Sequence, residues 1–255
     1  MKVITVVNQK GGVGKTTTAI SLAGALSTQG YKVLLVDLDP QASLSQYLGF
    51  NVDSLNATLY DVFTQDDASL EAISALHATP LNQIAILPAH GALATLDKQF
   101  GTAQGKGLVI RKALGQLDTA FDYAIVDCPP SLGVLMINGL LAADAIVLPT
   151  QTEHLALKGL QSMLSTIDQL TNSLKPNVVK KVVATLFDRR VNACINTYNK
   201  MRVSHAEYIW RGYIPNDTKF RDASEKGVPV NVVAKQCRGA FAYDKLANEL
   251  VAKLA

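Results

Sequence analysis

The sequence predicts an α/β protein with a mostly parallel, twisted sheet that is flanked by helices on both faces. Short, continuous apolar runs recur along the chain, and such runs are typical of strands buried on both faces of a parallel sheet. Stretches of helical length separate these runs, and this alternation is typical of layered α/β folds. The predicted strands are 3–7, 33–36, 84–87, 123–126, 145–148 and 182–187, and the longer predicted helices are 105–117, 132–142 and 157–174.

The chain is predicted to form one domain over residues 1–255. Its length could hold one large or two small domains, and 48% hydrophobic residues are enough for a buried core. No Pro-, Gly- or Ser-rich linker, low-complexity tract or internal repeat divides the sequence. The first apolar run is too short for a signal peptide or a membrane span, so we expect neither.

A glycine-rich segment joins the first predicted strand to the first predicted helix. It consists of Lys10, Gly11, Gly12, Val13, Gly14, Lys15, Thr16 and Thr17. A strand, a glycine loop and a helix start in this order predict a phosphate-binding loop, where backbone N–H groups and the helix N-terminus face phosphate oxygens. We expect Lys15 to reach the β- and γ-phosphates of a nucleotide and the Thr16 hydroxyl to hold Mg²⁺.

Carboxylates follow two of the predicted strands. Asp37 and Asp39 come after the second run, and Asp127 comes directly after the fourth. Because ligands bind at the carboxyl ends of parallel strands, we expect Asp127 to serve Mg²⁺. A carboxylate near the γ-phosphate can orient or deprotonate the attacking water, which makes Asp37 and Asp39 candidates. The alternative is that both are turn residues before Pro40, but the glycine loop upstream favours a functional role.

The glycine loop departs from the usual G-x-x-x-x-G-K-[ST] pattern. Gln9 stands where the first glycine is expected, and a second lysine, Lys10, follows it. The segment resembles the deviant Walker A box of the ParA/MinD/nitrogenase iron protein group of P-loop NTPases. The resemblance implies an ATP-dependent homodimer in which Lys10 crosses to the nucleotide of the second subunit. The alternative is an exposed lysine at the start of a loop.

Two further segments resemble the switches of the ParA family. The Asp-x-Asp-Pro-Gln box at 37–41 resembles the first switch, whose second aspartate is required for hydrolysis, so the resemblance gives that role to Asp39. Asp39 would then join Thr16 and Asp127 around Mg²⁺. The Asp-Cys-Pro-Pro-Ser run at 127–131 resembles the second switch.

The resemblance continues near the end of the sequence. Residues 213–230 are similar to the proline loop and following helix of the family, which pack against the adenine base. The resemblance therefore implies that Pro215, Asn216 and Asp217 contact the nucleotide. The family often has Arg-Asn after this proline, and this chain has Asn-Asp. In residues 51–80 we identify no motif of the family.

Three cysteines, Cys128, Cys194 and Cys237, are odd in number and far apart in the sequence. Such usage favours a reducing cytoplasm over a disulfide framework or a zinc site. The nitrogenase iron protein holds an iron–sulfur cluster across its dimer, but the cysteine spacing for a cluster is absent here. We therefore expect Cys128 to pack as a small apolar residue.

Positive charge is concentrated in the last third of the chain. Residues 1–174 contain 9 Lys and Arg against 14 Asp and Glu, whereas residues 175–255 contain 15 against 7. A basic surface predicts a polyanionic partner, with DNA favoured, and phosphate contacts of this kind do not read sequence. The resemblance to ParA assigns the contacts to Arg190, Lys219 and Arg221. The alternative is a solvated charged face.

The sequence argues against two other modes of interaction. No helix-turn-helix segment precedes the first predicted strand, so we expect no N-terminal helix-turn-helix domain and no sequence-specific reading of DNA. MinD-type relatives end in a basic membrane helix, whereas residues 240–255 carry balanced charges on their polar face. This balance predicts that the last helix packs against the protein body, without stable membrane association.

Together these expectations describe a cytoplasmic, nucleoid-associated ATPase that uses ATP and Mg²⁺. Its ATP dimer would bind DNA non-specifically and drive segregation of a plasmid or chromosome, or positioning of chemotaxis arrays or carboxysomes. No arginine finger is visible, so hydrolysis should be slow until a ParB-like or other cargo adaptor stimulates it. The alternatives are a MinD-like membrane-cycling ATPase, a nucleotide-dependent electron donor or metal-cluster carrier, and a small-molecule kinase.

Overall fold

The predicted parallel sheet is confirmed in a computed structural model that describes residues 1–65, 72–96, 106–171 and 177–255. Across the described residues the strand order is β3-β4-β2-β5-β1-β6-β7-β8, and every neighbouring pair is parallel except β3 and β4. The strands are β1 (Lys2–Val6), β2 (Val33–Asp37), β3 (His77–Ala78), β4 (Ile84–Leu87), β5 (Tyr123–Asp127), β6 (Ala145–Gln151), β7 (Val179–Phe187) and β8 (Ile209–Pro215).

Helices cover both faces of this sheet, as predicted. They are α1 (Lys15–Thr28), α2 (Ser43–Tyr47), α3 (Leu59–Thr64), α4 (Val109–Gln116), α5 (Val134–Ala142), α6 (His154–Thr171), α7 (Asn192–Ser204), α8 (Lys219–Glu225), α9 (Val230–Val233) and α10 (Arg238–Leu254). One buried cluster joins the sheet to α1 and α10, and another joins the opposite face to α4, α5 and α6. Within the residues described, no helix combines the length and apolarity that crossing a bilayer requires.

Most element boundaries agree with the sequence prediction to within a few residues. The predicted helix 105–117 is a 3₁₀ turn at Lys106–Leu108 followed by α4, and its first residue lies outside the described part of the chain. The predicted helix 157–174 begins three residues earlier, at His154, and its last three residues also lie outside the description. The helix predicted at 132–142 begins at Val134.

Two strands were missed by the sequence prediction, β3 and β8. Residues 213–223 were expected to begin as a loop, but Tyr213, Ile214 and Pro215 complete β8. Arg211 and Gly212 interrupt the apolar run of this strand, because β8 lies at the edge of the sheet where one side can face solvent. β3 has only two residues and offers no periodicity to detect.

The first helix is held tightly between the sheet and the last helix. Residues from Thr18 to Leu26 in α1 are all buried. A Cβ atom at Gly24 would lie only 2.3 Å from Cβ of Pro229, the residue that precedes α9. Only glycine lets the backbone of α1 approach this proline so closely, and the position of α1 in turn fixes the loop that precedes it.

The carboxyl ends of the central strands meet at one edge of the sheet. Asp127, at the end of β5, is the register partner of Val6 in β1 and of Asp37 in β2. The glycine loop follows β1 and therefore begins beside these carboxylates. The observed topology thus brings the predicted loop and the predicted acidic residues together.

Candidate active site

The glycine loop has a backbone that requires its glycines. Gly12 has φ of 72° and Gly14 has φ of 87°, in the left-handed region that favours glycine. Gly14 immediately precedes α1, so the free N–H groups at the start of this helix open onto the loop. Together with the helix dipole, these N–H groups form an anion-binding site.

Lys15 and Thr16 point from the start of α1 toward different parts of this site. The Lys15 side chain is largely enclosed, since the residue is only 9% exposed, and its ammonium nitrogen lies 3.5 Å from the carbonyl oxygen of Lys10. The Thr16 hydroxyl donates a hydrogen bond to Asp127 Oδ2 at 2.7 Å. Two of the three residues expected to hold Mg²⁺, Thr16 on α1 and Asp127 on β5, are therefore in direct contact.

The other carboxylate oxygen of Asp127 has no hydrogen-bond partner among the described residues. Oδ1 is buried and makes no hydrogen bond with the described residues. Burial raises the pKa of Asp127, and the nearby charge of Asp37 raises it further. A hydroxyl and a buried carboxylate oxygen without a partner fit the oxygen ligands that Mg²⁺ prefers, so these residues could hold that ion.

Asp37 and Asp39 occupy different environments although they are two residues apart. Asp37 is fully buried and accepts hydrogen bonds from the backbone N–H and the hydroxyl of Ser45, at 2.9 and 2.7 Å. Burial raises the pKa of Asp37 to about 7. Asp39 is partly exposed and accepts from the backbone N–H of Gln41 at 3.0 Å. Asp37 therefore fixes the start of α2, and Asp39 is the carboxylate with access to solvent.

Lys10 extends away from Lys15 toward the end of β6. Its ammonium nitrogen contacts Gln151 Oε1 at 2.7 Å and Glu153 Oε2 at 2.6 Å. Sequence reasoning missed both partners because the apolar run was expected to end at Pro149, whereas β6 continues to Gln151. The continuation carries polar side chains to the loop.

Another contact joins the loop to β7. The Thr185 hydroxyl donates to the carbonyl oxygen of Val13 at 2.9 Å, and Thr185 is buried. The sequence offered no signal for this contact, because Thr185 stands inside an apolar run. It links the loop to the strand whose end lies on the opposite side of the site from Asp37.

The residues expected to contact the adenine base lie on one cavity at the ends of β7 and β8. The cavity has a volume of about 700 Å³, and Pro215, Asn216 and Asp217 line it together with Asp188 and Tyr213. The backbone N–H of Asn216 donates to the carbonyl oxygen of Phe187 at 3.0 Å, which joins the loop after β8 to the end of β7. Its lining combines aromatic side chains with many polar and charged ones, and the aromatic and proline surfaces could stack on a flat heterocyclic base.

The three residues expected to bind DNA are exposed, and two of them are paired within the chain. Arg190 donates to both carboxylate oxygens of Asp188, at 3.0 and 2.7 Å, and this pairing lowers the pKa of Asp188 to about 2. Lys219 donates to Asp222 at 2.8 Å. Arg221 follows on the same short helix, α8, and is also exposed. Exposed pairs of this kind exchange partners readily.

The arrangement as a whole suits the binding and hydrolysis of a nucleoside triphosphate. Loop N–H groups and Lys15 face the position of the phosphates, Thr16 and Asp127 offer metal ligands, and Asp39 has the solvent access that a water-orienting carboxylate needs.

Comparisons with known proteins agree with this chemistry. A family described as an AAA domain matches residues 1–180. The chromosome partitioning protein ParA of Caulobacter vibrioides is 35% identical over 99% of this chain and 95% of its own length. The chromosome-partitioning ATPase Soj of Treponema pallidum is 34% identical over 99% of this chain and 98% of its own length.

A solved structure with a different name is also similar. The cobyrinic acid a,c-diamide synthase from Mycobacterium smegmatis, with bound ATP analog and magnesium, has a TM-score of 0.84 and 34% identity. The match covers 98% of this chain and 94% of that chain.

Proposed function

The chain belongs to the ParA/Soj family of partition ATPases, and from this premise we propose that it is an ATP-driven switch that closes into a homodimer and binds DNA without sequence preference. The observation that carries the proposal is the division of the loop's two lysines. Lys15 is enclosed beside the Thr16–Asp127 contact, whereas Lys10 is on the exposed side of the same loop. One lysine suits the nucleotide of its own protomer and the other that of a second protomer.

Each residue of the site has a part in the proposed hydrolysis of ATP. Lys15 and the N–H groups of the loop bind the phosphates, and Thr16, Asp39 and Asp127 would hold Mg²⁺. When bound, the ion neutralises charge that develops on the phosphates. Asp39 orients the attacking water and accepts its proton. Pro215, Asn216 and Asp217 hold the base in the cavity beside them.

The surface around the loop supports dimerisation at this edge of the sheet. Gly11 and Gly12 are exposed. Leu132, which follows the second switch, and Leu155, in the first turn of α6, are large apolar residues that are 45% and 75% exposed. Such side chains gain from burial against a second protomer, with Lys10 crossing between the two.

DNA would bind to the surface that carries Arg190, Lys219 and Arg221. A dimer presents each residue twice, so its affinity for a polyanion greatly exceeds that of a monomer. Hydrolysis would open the dimer and release DNA. The cargo would be a plasmid, a chromosome, a chemotaxis array or a carboxysome. A ParB-like or other adaptor would attach this cargo and stimulate hydrolysis. The protein would be cytoplasmic and nucleoid-associated.

The test measures binding of Asp39→Ala protein to random-sequence duplex DNA with ATP, ADP or no nucleotide, at two salt concentrations. We expect tight binding with ATP alone, because the variant forms the dimer without turning it over, and a steep loss of binding at higher salt. Equal binding in all three nucleotide states would contradict the switch. The matched control is wild-type protein, in which ATP-dependent binding should decay as ATP is consumed.

Membrane cycling of the MinD kind is the main alternative, and the last helix argues against it. Leu246, Leu250 and Leu254 of α10 are buried in the protein core, where they are unavailable to a bilayer. Pelleting with anionic vesicles measures this directly. ATP-dependent pelleting of the protein would favour membrane cycling over DNA binding.

The mycobacterial neighbour suggests a second use for the same ATP site, since its name describes the synthesis of an amide from an acid. An enzyme of that kind needs the acid to turn over ATP. We expect ATP hydrolysis without any added acid and no acceleration by cobyrinic acid. A strict requirement for the acid would replace the partition function with ligase chemistry.

A further inference from the structure

Lys10 is held on its own protomer by two residues at the end of β6. Its ammonium nitrogen lies 2.7 Å from Gln151 Oε1 and 2.6 Å from Glu153 Oε2. Gln151 also donates from Nε2 to the carbonyl oxygen of Gly12 at 3.2 Å, so it contacts both the lysine and the loop. The lysine therefore joins the loop to β6 within a single chain.

The backbone on both sides of this contact is fixed. On the loop side, Asn8 accepts from the backbone N–H of Lys10 at 2.9 Å and donates to the carbonyl oxygen of Pro149 at 2.8 Å. On the other side, the carbonyl oxygen of Glu153 accepts from the backbone N–H of Ala156 at 3.0 Å, in the first turn of α6. Because the backbone is held on both sides, the separation of Lys10 from Glu153 requires movement of their side chains only.

From this arrangement we propose that Glu153 is a positioning residue that retains Lys10 on its own protomer until a nucleotide phosphate competes for the lysine. The inference rests on the proposed function, in which Lys10 crosses between protomers. Glu153 would not touch the nucleotide. It would set how readily Lys10 is released, and therefore how much protein and ATP are needed to form the dimer.

The contact has the strength that such a role requires. The Lys10 and Glu153 side chains are 41% and 59% exposed, and an exposed ion pair shifts an equilibrium by about two- to fivefold. A γ-phosphate carries more negative charge than one carboxylate and accepts stronger hydrogen bonds from an ammonium group, so it can displace Glu153. Because a dimer opens two such contacts, their removal should strengthen dimerisation by about 4- to 25-fold.

The experiment compares the dimer dissociation constants of wild type, Glu153→Ala and Glu153→Gln by sedimentation with a non-hydrolysable ATP analogue. We expect a tighter dimer for Glu153→Ala and an intermediate value for Glu153→Gln, whose amide oxygen can still accept from the ammonium. The matched control is Glu225→Gln on α8, an exposed glutamate that should leave the constant unchanged. The gain of Glu153→Ala should shrink at high salt, because exposed ion pairs are screened, whereas a change in folding would persist.

Lys10→Ala separates failure of this inference from failure of the proposed function. If Lys10→Ala dimerises like wild type, the crossing lysine is wrong and the inference falls with it. If Lys10→Ala stays monomeric while Glu153→Ala dimerises no better than wild type, only the positioning role of Glu153 is overturned. In the Lys10→Ala background, adding Glu153→Ala should change nothing.

Discussion

The interior of the phosphate-loop edge, apart from its exposed Lys10–Glu153 pair, and the basic surface are built in opposite ways. At the loop edge, Thr16 meets Asp127 and Thr185 meets Val13 through short hydrogen bonds, and Asp127 and Thr185 are buried. On the basic surface, the Arg190 side chain is 89% exposed, although it is paired with Asp188. Buried contacts fix a site in one geometry, whereas exposed pairs can exchange a carboxylate for a phosphate. The comparison indicates that nucleotide chemistry relies on rigidity and that the proposed DNA attachment would rely on replaceable partners.

The largest effect should come from the loop edge. Lys15→Ala removes an enclosed ammonium that faces the phosphates, and the loss of a charged hydrogen bond worth about 3 kcal/mol weakens ATP binding by about 100-fold. Equilibrium titration with a fluorescent ATP analogue measures the affinity. Lys10→Ala is the matched control, because its lysine lies outside the enclosed position and should leave ATP affinity of the monomer unchanged. Tight ATP binding by Lys15→Ala would contradict the role of Lys15 at the rigid loop edge.

Substitutions on the basic surface should leave folding unchanged but should weaken DNA binding. Replacing Arg190, Lys219 and Arg221 with Glu should weaken DNA binding by about 10-fold or more and reduce the salt slope by about one for each lost phosphate contact. The melting temperature should stay close to that of wild type.

The control for that triple variant carries the same change in net charge elsewhere. Lys2, Lys32 and Lys112 are exposed and lie outside the basic surface. Their replacement with Glu should affect DNA binding much less. Equal loss in both triple variants would mean that DNA responds to net charge alone and that no defined surface exists.

A smaller effect is expected from the contact between β7 and the loop. Thr185→Val keeps the shape of the side chain but leaves the carbonyl oxygen of Val13 without its donor, at a cost of about 1–3 kcal/mol in the free energy of unfolding. Thermal and chemical denaturation without nucleotide measure this cost. Thr185→Ser should restore most of the stability, since it returns the hydroxyl. An unchanged stability of Thr185→Val would show that the loop edge is less rigid than its contacts indicate.

A pH dependence of stability is expected from Asp37. Burial raises its pKa from 3.8 to about 7 in the folded protein, so the folded state binds a proton that the unfolded chain has released. This stabilisation is fully present below pH 3.8 and is lost as the pH rises through about 7. In nucleotide-free protein, Asp37→Asn should therefore show a weaker decline in melting temperature across this interval than wild type. Parallel profiles would exclude a protonated Asp37.

The sequence predicted much of the loop edge because local backbone geometry determines which residue types this edge requires. Gly12 and Gly14 are needed for the backbone at their own positions, and the strand–loop–helix order follows from neighbouring residues. The edge strand β8 was missed because Arg211 and Gly212 break its apolar run. The partners of Lys10 were missed because Gln151 and Glu153 are more than 140 residues away.

The sequence located the exposed positive charge only approximately, because the pairing of exposed side chains depends on the folded backbone. The sequence indicated a basic last third of the chain, but the pairing of Arg190 with Asp188 depends on the turn that follows β7. The residues alone did not separate Asp37 from Asp39 either, and only the resemblance to the ParA family gave the hydrolytic role to Asp39. Burial distinguishes them, and burial is a property of the whole fold.

The close approach of Gly24 to Pro229 predicts a conditional mutant of this protein. An alanine there must push the backbone of α1 away from Pro229, and it leaves every residue of the site intact. Overpacking of this kind costs about 1–3 kcal/mol, a large share of the stability of an ordinary domain. A Gly24→Ala allele should therefore be temperature-sensitive, with normal inheritance of the cargo in cool cultures and loss of the cargo from daughter cells after a shift to warmth.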